Sequence, residues 1–425
     1  MIDPEIGDFK KKIDRYVIIK LRKIDDFYDL MKNNGGIHPI ELMKSITRLY
    51  NSKKIHKTKF HRLKESAKDK GKISAEDMPD YLPVPHLVDY DWRFSQKGIN
   101  YLAGVLRRSI RGEDATVVFI GTPSLFKFCI TALRENVKLV LIDKNASKHG
   151  QTVGNDRIQF INTDINSNYD ILSKINADYI IMDPPWYYNY YEMFFNRASL
   201  MIHARSCVIC VMPPDFTRAS ARSERIKLIE QLRNNYGLEK VHYYHGCISY
   251  HTPPYERNVL KIYGINCLPR NWRIGDLLIV QKTSSGILTN PWEYAVNEQK
   301  WDEVSIGPVR IKIKHESDCI KNLDITLERI YPKDIYPSVK RSSRIQNANN
   351  INVWTSGNRV FRCSNTALLF FALIHRKENL TLLLYNKNIT PTEDEISHIT
   401  EIVKQIEIIA SIEFKEYGYI WRYNK

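Results

Sequence analysis

The chain has 425 residues, 43% of them hydrophobic, and carries 63 Lys and Arg against 48 Asp and Glu, a formal charge of +15. That length exceeds what one hydrophobic core normally fills, so more than one domain is expected. No apolar run approaches a membrane span, and the N-terminus MIDPEIGDFKKK lacks the apolar centre of a secretory signal, which excludes membrane and exported classes and points to the cytoplasm.

The positive balance favours a polyanionic partner, DNA or RNA, because neutralising phosphates releases condensed counterions. A lysine-rich composition is the competing explanation. The seven cysteines are scattered without a CxxC pair, so neither structural disulfides nor a metal site are expected.

Residues 1–80 read as a helical domain. Ile13, Tyr16, Val17 and Leu21 recur at helical spacing, Asn33-Asn34-Gly35-Gly36 interrupts, and Ile40, Leu42, Met43, Ile46 and Leu49 resume an apolar face. Helix, glycine turn and helix fits a helix-turn-helix or winged-helix unit, and equally a helical cap on the next domain. A basic run follows: Lys53, Lys54, Lys57, Lys59, Arg62, Lys64, Lys68, Lys70 and Lys72 against Glu65 and Asp69. It is either a solvated face or a phosphate contact. Pro83-Val84-Pro85-His86 marks a boundary, since each proline biases the preceding residue away from helix.

A second domain is expected over 85–268. Its apolar runs are VVFI (117–120), KLVLI (138–142), RIQFI (157–161), DYIIM (178–182), CVICVM (207–212), EKVHYY (239–244) and NVLKIYGI (258–265), separated by helical stretches. Continuous apolar strands alternating with helices predict an α/β fold whose mainly parallel sheet is covered on both faces. Residues 269–425 read as an accessory α+β region, with short runs DLLIV (276–280) and VRIKIK (309–314). A late helix there has Ile396, Ile399, Ile402, Val403, Ile406 and Ile409 on one face. Lys340-Arg341-Ser342-Ser343-Arg344 is expected to be a solvated basic loop.

The chemistry concentrates in Asp183-Pro184-Pro185-Trp186, directly after DYIIM. A proline turn with a capping Asp and a core Trp would account for four such residues alone. The position, at the carboxyl end of a fourth strand where α/β sheets bind ligands, favours a site. The tetrapeptide resembles the DPPY/DPPW motif of adenine and cytosine amino-methyltransferases. That resemblance spans roughly residues 90–265 and implies a seven-stranded Rossmann-like methyltransferase core, S-adenosylmethionine (SAM) as cofactor and an exocyclic amine as acceptor. Adenine in DNA or RNA is preferred over cytosine. An amine conjugated to a heterocycle is a poor nucleophile, so the site must align it and accept its hydrogens as charge develops. Asp183 and the carbonyl of Pro184 are acceptors, Pro184 and Pro185 stiffen the turn, and Trp186 offers a stacking face.

For the cofactor, Gly121 follows the first strand, where a glycine lets backbone approach a ligand. The family usually shows a GxG pattern; Gly121-Thr122-Pro123-Ser124 has one glycine. Asp143 ends the second strand, twenty-two positions later, where an acid binds ribose hydroxyls. Asp164, after the third strand, resembles the acid that contacts the cofactor adenine, though Asn162 and Asp164 also suit an ordinary turn. In Asp89-Tyr90-Asp91-Trp92-Arg93-Phe94, Phe94 and Trp92 occupy the segment that related enzymes fold over the methionine end; aromatic core packing is the alternative. Tyr187, Tyr188, Tyr190 and Tyr191 follow the turn and are candidates for the substrate channel, and Pro213-Pro214-Asp215 is expected to shape the pocket.

Two other readings remain. Branched-chain polyamine synthases combine a winged helix, such a core and a DPP-type turn, and transfer an aminopropyl group to a polyamine. They carry acids after the cofactor glycine, where this chain has neutral Thr122-Pro123-Ser124. A catalytically inactive nucleic-acid-binding subunit is the third.

Overall fold

The computed structural model describes residues 4–69, 84–89, 91–112, 114–144, 156–166, 169–269, 272–283, 299–317, 319–340 and 350–417. Lys70, Lys72, Pro83, Tyr90, Arg341, Ser342, Ser343 and Arg344 lie outside the described residues. The chain divides into two compact units, one drawn from residues 1–73, 93–252 and 267–295, the other from 74–92, 253–266 and 296–425.

In the first unit, α1 (Pro4–Lys20), α2 (Phe27–Lys32), α3 (Pro39–Asn51) and α4 (Lys57–Lys68) precede the sheet. Ile13, Val17 and Leu21 of the α1 segment, and Ile40, Leu42, Ile46 and Leu49 of α3, are buried as their spacing predicts. Residues 4–69 contain no strand. These helices belong to the same compact unit as the sheet.

The sheet comprises β1 (Thr116–Ile120), β2 (Lys138–Asp143), β3 (Ile158–Asn162), β4 (Ala177–Met182), β5 (Ile202–Met212), β6 (Leu238–Ser249) and β7 (Ile274–Lys282). Their order is β3-β2-β1-β4-β5-β7-β6, with β7 antiparallel to both neighbours and the other pairings parallel. This is the Rossmann-like methyltransferase arrangement. Val117, Val118, Phe119 and Ile120 of β1 are all essentially inaccessible, so the strand does not alternate: both faces are covered. Each such side chain contributes about 1.5–3 kcal/mol of burial. The intervening helices are α5 (Gln96–Ser109), α6 (Pro123–Ala132), α7 (Tyr169–Leu172), α8 (Tyr188–Ser199) and α9 (Ala221–Tyr236). Ser95 caps α5 by accepting from the Gly98 amide at 3.2 Å, and Gly237, at φ +59°, closes α9 in the left-handed conformation.

One expected strand is a helix. NVLKIYGI (258–265) falls largely in α10 (Pro254–Ile262), a helix of the second unit. Pro254 at the first helical position presets φ and loses no hydrogen bond there, and Tyr255 and Val259, one turn apart, are both buried. The true seventh strand is β7, which contains DLLIV and pairs Met212 with Asp276 in the heart of the sheet. The core therefore runs past residue 268, and β7 lies inside it rather than in the accessory region.

The second unit holds a five-stranded antiparallel sheet, β8 (Trp301–Ile306), β9 (Val309–Lys314), β10 (Leu327–Arg329), β11 (Val353–Thr355) and β12 (Val360–Cys363), in the order β10-β12-β11-β9-β8. It is joined by α11 (Thr366–Ile374), α12 (Leu380–Tyr385) and α13 (Glu393–Tyr417). Ile399, Ile402, Val403, Ile406 and Ile409 of α13 are buried in its core, with Ile396 packed against it. Among the described residues no helix is long and apolar enough to cross a membrane.

Candidate active site

Parallel pairing aligns the carboxyl ends of β1, β2 and β4, with Ile120 opposite both Ile142 and Met182. Gly121 and Asp183, which follow β1 and β4, and Asp143, which ends β2, are thereby brought to one edge of the sheet. Gly121 adopts φ +63°, and a Cβ built on it would stand 3.9 Å from the carbonyl oxygen of Asp183. Its amide donates to the Ile142 carbonyl at 3.3 Å. A left-handed turn there is open to Gly at no steric cost. Beside it, the Thr122 hydroxyl is buried without a hydrogen-bond partner among the described residues and does not cap α6. An orphaned buried hydroxyl costs roughly 1–3 kcal/mol, so this one is available to an incoming polar group.

Asp183 keeps part of its surface, yet the protein around it desolvates the carboxyl and pushes its pKa up to about 7. Three groups oppose that rise: the Tyr250 hydroxyl, the Arg273 charge and the side chain of Trp186. Tyr250 donates to Asp183 Oδ1 at 2.8 Å. Its ring lies between Phe94, at 5.1 Å, and the edge of Trp186, at 5.6 Å and 85°. The Arg273 guanidinium rests 4.3 Å over the Trp186 ring. Arg218, from the loop after β5, donates to the Trp186 carbonyl at 2.5 Å, pairs with Glu224 and covers the Tyr187 ring at 5.6 Å.

Gly275 of β7 makes this packing possible. A Cβ there would come within 2.9 Å of Val211 and 3.3 Å of both Trp186 and Tyr250.

The sequence-predicted residues divide accordingly. Asp183, Pro184, Pro185 and Trp186 form the turn, and Gly121 faces it. Phe94 is buried, paired with Tyr250 as an isolated β-bridge. Trp92 packs edge-on against Tyr255 in the second unit, which is the core-packing alternative. Asp143 is half-buried, with its carbonyl accepting from the Thr163 amide at 3.3 Å. Asp164 is exposed, and its Oδ1 accepts from the Asn166 amide at 2.8 Å, the geometry of an ordinary Asx turn. Tyr187 lies under Arg218. Tyr188 donates to Gln231 and carries the Lys227 ammonium over its ring at 4.6 Å, so α9 engages it. Tyr190 is buried in the core, and Tyr191 donates to the Val211 carbonyl at 3.0 Å.

Tyr250, Arg273 and Arg218 carry no local motif and were not singled out, and Thr122 was noted only as a neutral residue of the cofactor turn. Gly275 had a readable signal, a lone glycine inside an apolar strand, which marks close approach of a neighbour. The Asn34-Gly35-Gly36 turn also reaches this edge. Gly36, at φ +91°, leaves no room for a Cβ against Pro214 (2.5 Å), Tyr16 packs on Phe216 at 5.0 Å, and Asn34 donates to the Trp272 carbonyl at 3.2 Å. Pro214 thus anchors the cap, and Asp215 pairs with Arg225 at 2.5 Å.

Residues 88–240 match the model of a family described as Probable N6-adenine methyltransferase. A comparison with curated proteins gave no match. Among solved structures, the chain resembles the branched-chain polyamine synthase C9 mutein from Thermus thermophilus at 11% identity and a TM-score of 0.46, covering 68% of this chain and 95% of that one. It resembles TrmN from Thermus thermophilus at 13% identity and a TM-score of 0.29, covering 43% of this chain and 48% of that one. For the aminoglycoside resistance methyltransferase NpmB1 the values are 14% and 0.28, with 43% and 93% covered.

Proposed function

We propose that this chain, whose residues 88–240 match the methyltransferase family model, transfers the methyl group of SAM to an exocyclic amine, with adenine in DNA or RNA as the acceptor. The observation that carries the reading is the Asp183 turn facing the Gly121 turn across the ends of β4 and β1. The two turns lie side by side, so a cofactor held at Gly121 would present its methyl group beside Asp183.

The residues present fit SAM. Gly121 admits a close ligand, Thr122 offers an orphaned hydroxyl at the start of α6, and Asp143 supplies a strand-end carboxylate for the ribose hydroxyls. Asp164, exposed in the turn after β3, would serve the cofactor adenine, and Phe94 would wall the methionine end. Bound there, SAM supplies an electrophilic methyl.

The protein acts on the acceptor. Asp183 and the Pro184 carbonyl accept the amine hydrogens, turning the nitrogen lone pair toward the methyl. As the nitrogen gains a carbon and positive charge, Asp183 takes the proton it sheds. A carboxyl titrating near 7 is suited to that exchange, being ionised above neutrality and a competent acid below it. Pro184 and Pro185 hold the turn stiff, and Trp186, braced by Arg273, is the stacking platform for the base. Of the tyrosines after the turn, Tyr187, half-buried beneath Arg218, is the one placed to meet the acceptor, whereas Tyr188 is taken up by α9 and Tyr190 by the core.

Calorimetry with SAM, then transfer of labelled methyl to adenine- and cytosine-containing oligonucleotides, tests the proposal. Trp186→Ala is expected to weaken acceptor binding by about 1–3 kcal/mol. Unchanged acceptor binding would return Trp186 to a packing role.

A further inference from the structure

We propose that Tyr250 is the positioning residue of this transfer, a fixed donor that orients the Asp183 carboxylate toward the acceptor amine. The inference rests on the assignment of Asp183 as proton acceptor and concerns what makes that residue competent.

The backbone of Tyr250 is held from two sides. Its amide donates to the Arg273 carbonyl at 3.0 Å, it bridges Phe94, and the next amide, of His251, donates to the Arg93 carbonyl at 2.8 Å. Its ring is clamped between Phe94 and Trp186, with the Cβ-less Gly275 against it. The hydroxyl therefore has one place to point. A phenol carries a single proton, and here it is given to Asp183 Oδ1. Burial first, and the adjacent Asp183 charge second, raise the Tyr250 pKa well above its ordinary value, so the phenol stays a donor throughout the working range and is not itself a base.

A carboxylate on a short side chain can rotate about χ2, and only one orientation serves an in-line acceptor. Engaging Oδ1 selects that orientation before the acceptor arrives, which avoids reorganisation during the reaction. The same bond favours the ionised form of Asp183. The other groups facing Asp183 are Arg273 ahead of β7, the Trp186 side chain in its own turn, Tyr191 of α8 and Cys210 of β5. Arg273 is the one positive charge among them, and Tyr191 and Cys210 are neutral with pKa values raised chiefly by burial. Without Tyr250 the balance shifts toward the protonated acid.

The test is Tyr250→Phe, which removes one oxygen from a packed ring. The kcat–pH profile should keep its shape while its acid limb moves up by about one unit, lowering kcat about tenfold below pH 7 and far less at high pH. SAM affinity by calorimetry should stay within about twofold, because no cofactor contact changes. An equal loss at every pH with an unmoved limb, or no loss at all, overturns the inference. If Tyr250→Phe does not fold, 3-fluorotyrosine at position 250 keeps the shape and is a more acidic donor. Its acid limb should move down, and an unmoved limb again overturns the inference. Should the wild-type protein methylate no nucleic acid, the functional reading falls and this inference with it. Should it methylate and the limb stay in place, only the inference falls.

Discussion

The Tyr250 hydroxyl meets Oδ1 of Asp183 at 2.8 Å across sixty-seven residues of sequence, joining the end of β6 to the turn after β4. It ties the far antiparallel strand directly to the turn that carries the motif.

That contact sits in a desolvated site, with a consequence for stability. The Asp183 carboxyl titrates near 7 when folded and near its ordinary 3.8 when unfolded. Between those values the folded state holds a proton that the unfolded chain has lost, so this group's contribution is full below about pH 4 and declines as pH rises through 7. Asp183→Asn, which cannot ionise, should flatten the decline and melt higher than wild type at pH 8. An Asn variant with an unaltered stability–pH curve would show that the carboxyl is not desolvated. This is the expected cost of a poised acid.

Asp143→Ala should raise the SAM dissociation constant by roughly tenfold or more, since a hydrogen bond to a charged acceptor is worth about 1.5–3 kcal/mol. Equilibrium binding in the absence of acceptor reads it directly. Undiminished SAM affinity would remove Asp143 from the cofactor site.

Gly36→Ala should destabilise the first unit by about 1–3 kcal/mol, because φ +91° strains an L side chain and its Cβ would collide with Pro214. Denaturant unfolding measures this. If stability is unchanged, the cap does not depend on the contact between the Asn34-Gly35-Gly36 turn and Pro214.

The basic run is testable by salt. Lys53, Lys54 and Lys57 are exposed, whereas Lys59 is committed to Asp25 at 2.6 Å and to the Leu21 carbonyl. Changing the three exposed lysines to Gln should lower the slope of log affinity against log salt by up to about 0.9 for each that meets a duplex phosphate. An identical slope would make the run a solvated face.

How much of this was legible follows from physics. Strands covered on both faces read as unbroken apolar runs, so β1 and β2 could be placed from sequence, and a Pro-Pro pair after a strand drew attention to Asp183. The run at 258–265 misled because β-branched and aromatic residues mimic a strand, while Pro253-Pro254 starts a helix there. The real β7 was masked because the chain leaves the core for α10 before returning. Tyr250 and Arg273 act through long-range pairing, which leaves no local pattern. Asp143 kept its expected place at the end of β2 because the spacing from Gly121 is set by one helix and one strand.

The central claim is that Asp183 accepts the hydrogens of a nucleic-acid amine during methyl transfer. Wild type and Asp183→Ala should be given labelled SAM with DNA, RNA and polyamine acceptors, and the products digested and identified. The account predicts N6-methyladenine from wild type on DNA or RNA, at least about a hundredfold less from Asp183→Ala, and SAM affinity little changed between them. Transfer that survives in Asp183→Ala, or a product found on polyamine and not on nucleic acid, would contradict it.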